Sequence, residues 1–199
     1  TVIWPILMMD DTTRRPPFVV ELSKIPFEQQ KYVLFYIVRR LPRFMAGALD
    51  AGGNGAYLAE VAADEFGHER IAQVKLSLEW YRENMPRFIA AFEDGTIALP
   101  RDANLLADHR SLKKIKGIIR VPDIREADAR NKQIKRHGDS AIAHALGHFA
   151  SIMEVGEYAY EPATGLRRNL DERGEDRLRM KTDEALHRFA GARFNKGAW

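Results

Sequence analysis

Two aspartates stand where their type and setting allow chemistry. Asp50 closes the apolar start of "GALDAGGNGAYLAEV", Gly47 to Val61, and is followed by Gly52, Gly53 and Gly55. A carboxylate does nothing for a core, and the glycines let a backbone or substrate come close to it. Three roles are open. The carboxylate can hold a hard divalent cation at a strand end. The Asp-x-Gly-Gly-x-Gly run can serve a cofactor such as S-adenosylmethionine, although its glycines miss the dinucleotide-binding spacing. Or the stretch is a strand-to-helix turn with Asn54 as the helix cap.

Asp139 lies in "KRHGDSAIAHALGHF", directly after Gly138 and at the mouth of an Ala-rich helix. Aspartate is a favoured helix-start residue, so a structural role is open here too. Its neighbours Lys135, Arg136 and His137 suit phosphate oxygens. A carboxylate in the first turn of a helix, packed against a strand end that carries another, is the arrangement of two-metal phosphoryl-transfer sites.

Other groups are less directed. His144 and His148 are four apart on one helix face, but no Glu follows His144, so the zinc-protease pattern is absent and packing along the helix is expected. Arg82, Asn84 and Arg87 either reach a substrate or form a solvated helix face. The chain has no G-x-x-x-x-G-K-[ST] phosphate loop and no G-x-S-x-G elbow. It has no cysteine, which excludes disulfides, thiolate catalysis and cysteine-held zinc in this sequence. Net charge is only +3, yet His109 to Arg136 holds ten Lys or Arg against three acids. Lys113, Lys114 and Lys116 form its densest part. Such a run is either a solvated loop or a grip for a polyanion.

The elements that must position these groups follow from pattern. "TVIWPILMM" and "PFVVEL" are β-prone runs joined by turn-rich "DDTTRRPP", which predicts a hairpin. "IPFEQQKYVLFYIVRRLP" reads as a buried helix, "FMAGALD" as a strand, "GAYLAEVAADEFG" as a helix stopped by Gly67, and "RIAQVKLSL" as a strand. The order β-α-β-α-β indicates an α/β fold. "YRENMPRFIAAFEDG" predicts a helix, "NLLADHRSLKKIKG" a helix ending at Gly117 and then a strand, and "PDIREADARNKQIKRHGD" a loop. "DSAIAHALGHFASIM" predicts a further helix. These elements suggest one domain over 1–153 with a charged tail over 154–199, where Ala150 to Trp199 carries nine basic and nine acidic residues. The longest apolar run is too short for a bilayer and no signal peptide is evident, so a cytoplasmic protein without a membrane span is expected.

Taken in order, "PFVVELSKIPFEQQKYVLFYIVRRLP", "GALDAGGNGAYLAEVA", "WYRENMPRFIAAFEDGTIALPRD" and "KRHGDSAIAHALGHFAS" resemble the C-terminal nuclease domain of the large terminase subunit of Mu-like phages and prophages. The resemblance implies an RNase H-like fold, with a five-stranded mixed sheet flanked by helices. It implies an acid cluster holding two Mg²⁺ or Mn²⁺ ions, one activating water and the other steadying the leaving 3′ oxygen. Asp50 matches the second acid and Asp139 the third. The first acid is expected on a strand preceding Thr1, so the sheet is expected to lack its first strand here. Lys135, Arg136 and His137 would offset phosphate charge, and Lys113, Lys114 and Lys116 would grip double-stranded DNA without reading sequence. The implied partners are an N-terminal ATPase domain, the portal and the small terminase subunit, at the procapsid in the host cytoplasm. Two rivals remain: a non-catalytic module docking DNA or portal, and an S-adenosylmethionine-dependent methyltransferase.

Overall fold

The computed structural model describes residues 1–9, 12–122, 126–127, 135–136, 138–155 and 193–196. The β-prone N-terminus forms the expected hairpin, in two stages. β1 (Val2–Ile3) pairs antiparallel with β4 (Phe18–Glu21), and between them β2 (Leu7–Met8) folds onto β3 (Arg14–Arg15). β4 is central: it is flanked on its other side by β11 (Arg193–Lys196), and Val19 and Val20 are buried. β11 lies within the segment whose composition suggests a charged tail, so part of that segment extends the sheet.

α1 (Phe27–Val38) follows. Pro26 stands at its N-cap, and Val33, Leu34, Ile37 and Val38 make its buried face. β5 (Gly47–Asp50), α2 (Ala56–Phe66) and β6 (Ile71–Val74) complete a parallel β-α-β unit, with Asp50 opposite Val74. Gly67, at φ 102°, ends α2 as expected. Next come α3 (Leu78–Glu93), α4 (Ala103–Arg110), β7 (Lys113–Ile115), β8 (Ile118–Arg120), β9 (Glu126–Ala127), β10 (Lys135–Arg136) and α5 (Asp139–Ser151).

The α/β class holds, and the expected single five-stranded sheet is not what the described residues form. They make a three-stranded antiparallel sheet and a separate parallel pair, β5 and β6. α5 packs on both β5 and β1. Ile3 touches two apolar clusters, one of α1, α2 and β6 and one of α1 with β4. The two sheets are thus tied through shared side chains, without a hydrogen-bonded strand between them among the described residues.

Two local expectations are corrected. The helix expected to run to Gly117 stops at Arg110, because Ser111 turns its Oγ back to donate to the Asp108 carbonyl, 2.6 Å away. Lys116 and Gly117 both have positive φ, 50° and 83°, the two-residue turn that suits a tight hairpin. β7 and β8 therefore pair antiparallel, with Ile115, Ile118 and Ile119 favouring strand. The segment expected to be loop contains the short β9–β10 pair, and its other residues lie outside those described, apart from its ends.

The glycine run after Asp50 is explained by backbone. A 3₁₀ turn, Gly53–Gly55, links β5 to α2, and Gly55, not Asn54, is the N-cap of α2, with no side-chain cap. Gly53 needs its positive φ of 50°. A Cβ on Gly55 would lie 2.3 Å from the Asp50 carbonyl oxygen. Gly55→Ala should therefore cost about 1–3 kcal/mol of stability by overpacking. Gly53→Asn, at a left-handed position open to solvent, should cost less than about 1 kcal/mol. Denaturant unfolding of the two variants checks the order.

Candidate functional site

Asp50 is half-buried at the C-terminal end of β5. Its Oδ1 accepts the Gly52 N–H at 2.8 Å, an Asx-type contact that fixes the carboxylate at the strand end. Tyr81, near the start of α3, lies in its field. Burial raises the Tyr81 hydroxyl pKa first, the Asp50 charge raises it further, and the Arg120 guanidinium opposes both. Sequence reasoning missed Tyr81 and did not separate Arg120 from the other cations. A Tyr opening the helix expected from "YRENMPRFIAAFEDG", just after the strand that becomes β6, was the available signal.

Asp139 is exposed in the first turn of α5, where a negative charge is favourable against the helix dipole. Its carboxylate makes no hydrogen bond or ion pair among the described residues. The preceding Gly138 is left-handed, and a Cβ there would lie 2.9 Å from Val121 and 3.0 Å from Ser111 Oγ. Asp50 and Arg120, the last residue of β8, thus both act on Tyr81, and the adjacent Val121 lies against Gly138, the residue before Asp139. Among the described residues, no group of three His, Cys, Asp or Glu side chains is clustered as a metal site.

The lysines fall on the hairpin. Lys113, Lys114 and Lys116 are exposed, and Lys113 stands directly opposite Arg120. Like charges in that position repel. None of these four cations has an ion pair among the described residues. Lys135 and Arg136 form β10, opposite Ala127 and Glu126, and His137 lies outside the described residues.

The histidines are interior, as expected. His144 is fully buried, with its ring stacked on Trp4 at 4.4 Å, and His148 is nearly so. His109 Nδ1 lies 2.7 Å from the Leu105 carbonyl and must donate, which leaves Nε2 of the neutral ring as an acceptor. His144 Nδ1, 2.9 Å away, then donates to it, so His144 Nε2 carries a lone pair with no partner. Burial lowers the pKa of all three, drawing His144 well below its ordinary value. The Arg14 charge helps carry His148 to about 4.

The domain is thus α/β, with acids at a strand end and a helix start and a basic β7–β8 hairpin. The comparisons narrow it. The chain is 39% identical over 152 residues, 76% of its length, to the Mu-like prophage FluMu protein gp28 of Haemophilus influenzae. It is 39% identical over 153 residues, 77% of its length, to the probable terminase large subunit gp28 of Escherichia phage Mu. The chain belongs to the large terminase subunit family of Mu-like phages and prophages. It spans 29% and 28% of those two relatives. No protein-family model matches it, and no solved structure matches. Among the described residues, no helix is long and apolar enough to cross a membrane.

The interior histidines set an acid limit on stability. Each binds its proton less readily folded than unfolded, where its pKa is about 6.5. Stability is therefore whole above about pH 6.5 and lost as pH falls, for His148 until about pH 4. Each histidine contributes a slope of at most about 1.4 kcal/mol per pH unit. Denaturant midpoints should fall between pH 6.5 and 5, above the range of most carboxylates. His148→Gln should flatten the slope, and a level wild-type profile would contradict the assignment.

Proposed function

We propose that this chain is the metal-dependent endonuclease domain of a phage DNA-packaging terminase. The observation that carries the reading is its identity to the gp28 relatives, one of them named a probable terminase large subunit. The geometry supports it through Asp139, an exposed carboxylate without a described partner, and through the cations of the β7–β8 hairpin.

Oxygen donors of Asp50 and Asp139 suit Mg²⁺ or Mn²⁺, which prefer carboxylates. Asp50 keeps Oδ2 available, since its recorded hydrogen bond uses Oδ1. Two carboxylates are fewer than a two-ion site needs. The RNase H-like arrangement supplies another acid on a strand, and the edges of β1 and β5 that carry no described partner would receive such a strand beneath α5. Bound ions would supply Lewis acidity toward water and the scissile phosphate. The chain's own residues hold the substrate. Lys113, Lys114, Lys116 and Arg120 offer charge to the backbone of double-stranded DNA, with Lys135, Arg136 and His137 nearer the start of α5 in sequence. Such contacts position the duplex and do not read its bases. An ATPase domain, the portal and the small terminase subunit are the partners this role calls for.

The docking-module alternative draws on the same hairpin, since unpaired lysines bind DNA without any cutting. Plasmid nicking with Mn²⁺ separates the two, using this chain extended upstream by one strand. Cutting should appear and should drop at least about 10³-fold in Asp50→Ala and Asp139→Ala, as for loss of a catalytic metal ligand. Near-normal cutting by Asp139→Ala would remove the nuclease assignment. DNA retention without metal dependence, and with no cutting, would favour docking.

A further inference from the structure

α5 starts without a side-chain cap of its own, because its N-cap is Gly138. The first turn is held instead from α4. Ser140 Oγ, completely buried, donates to Asp108 Oδ2 at 2.6 Å, and Asp108 is itself only 4% exposed. One turn on, Ser111 Oγ donates to the Asp108 carbonyl at 2.6 Å, and the same Oγ closes against the backbone of Gly138. Residues 108–111 thus form a socket that grips Gly138 and Ser140, the two neighbours of Asp139. Asp139 projects from between two fixed points and is exposed.

We infer that Asp108 is a positioning residue for Asp139, acting through Ser140 and the first turn of α5. The inference rests on the reading of Asp139 as a metal ligand. The physical reason is the cost of looseness. A metal-binding carboxylate must be held to within about 0.5 Å, and a helix end without a cap frays. The buried Asp108 charge also lies at the positive end of the α5 dipole, which favours the docked start of the helix. Asp108 is buried away from solvent, so its role is support for the ligand and not contact with substrate.

The test measures Mn²⁺ binding to the chain extended upstream by one strand, as in the nicking assay, by electron paramagnetic resonance of free Mn²⁺, beside amide exchange across α5. Wild type should bind, and Asp139→Ala should not. Ser140→Ala and Asp108→Asn should weaken binding about 3- to 10-fold and speed exchange at the first turn of α5. A control of matched thermal loss in a distant cluster, Val33→Ala, should bind Mn²⁺ as wild type does. Unchanged Mn²⁺ affinity in both Ser140→Ala and Asp108→Asn, with Asp139→Ala still defective, overturns the positioning role and leaves the nuclease reading intact. Equal weakening in Val33→Ala also overturns it, since the effect would then be general destabilisation. Wild-type binding that is absent, or that survives Asp139→Ala, removes the metal-ligand reading and this inference together.

Discussion

Helix α5 has to lie against two sheets at once, and its small side chains make that approach possible. Ala141, Ala145 and Ala150 are buried along it, and at Gly147 a Cβ would meet Ile6 at 3.0 Å and the Trp4 carbonyl at 3.3 Å. Even a methyl group at 147 would need Ile6 or the Trp4 carbonyl to give by a few tenths of an ångström. The same helix packs along β5 and against α3, where Ala145 joins Met85, Phe88, Ala91 and Ile97. Because close-packed interiors do not deform smoothly, one rigid helix sets the spacing of everything it touches. Asp139 begins that helix and Asp50 ends a strand beneath it, so the candidate site depends on this packing.

The seam between α4 and α5 is polar although it is buried. Asp108, Ser111, Ser140, His109 and His144 meet there, with Trp4, Phe88 and Phe92 around the rings. A buried polar network is costly unless its members find partners, and its hydrogen bonds allow few alternative registers. Here the bonds chain Leu105 to His109 to His144, and Ser140 to Asp108. Sliding α5 by one turn would break both chains at once. The seam therefore specifies where α5 starts, a task an all-apolar interface of similar small residues would do less well.

The charge layout around the end of β8 runs in the opposite sense to the interior. Lys113, Lys114 and Lys116 are exposed on the β7–β8 hairpin without an ion pair among the described residues, and Lys113 faces the half-buried Arg120 across it, which is unfavourable without an anion. Asp139 starts α5 and Asp50 ends β5, the strand on which that helix packs. Exposed lysines of this kind suit the contact with a polyanion backbone that the proposed function calls for. Relationship to the gp28 proteins of Mu-like phages gives that layout its context.

Periodicity and punctuation alone determined most of the local elements. The β-α-β unit, the stop of α2 at Gly67, the buried face of α1 and the Ala-rich α5 are legible because helix and strand periods and glycine stops are properties of neighbouring residues. Asp50 and Asp139 stand out for the same reason. The β7–β8 hairpin was not legible, since "SLKKIKGIIR" satisfies a helix pattern as readily as a two-residue turn, and the turn is decided by left-handed backbone at Lys116 and Gly117. Nor could sequence place β11 beside β4, pair His109 with His144, or set Asp108 under Ser140. Those contacts join residues 32 or more positions apart, and no local propensity records which distant groups share a buried surface.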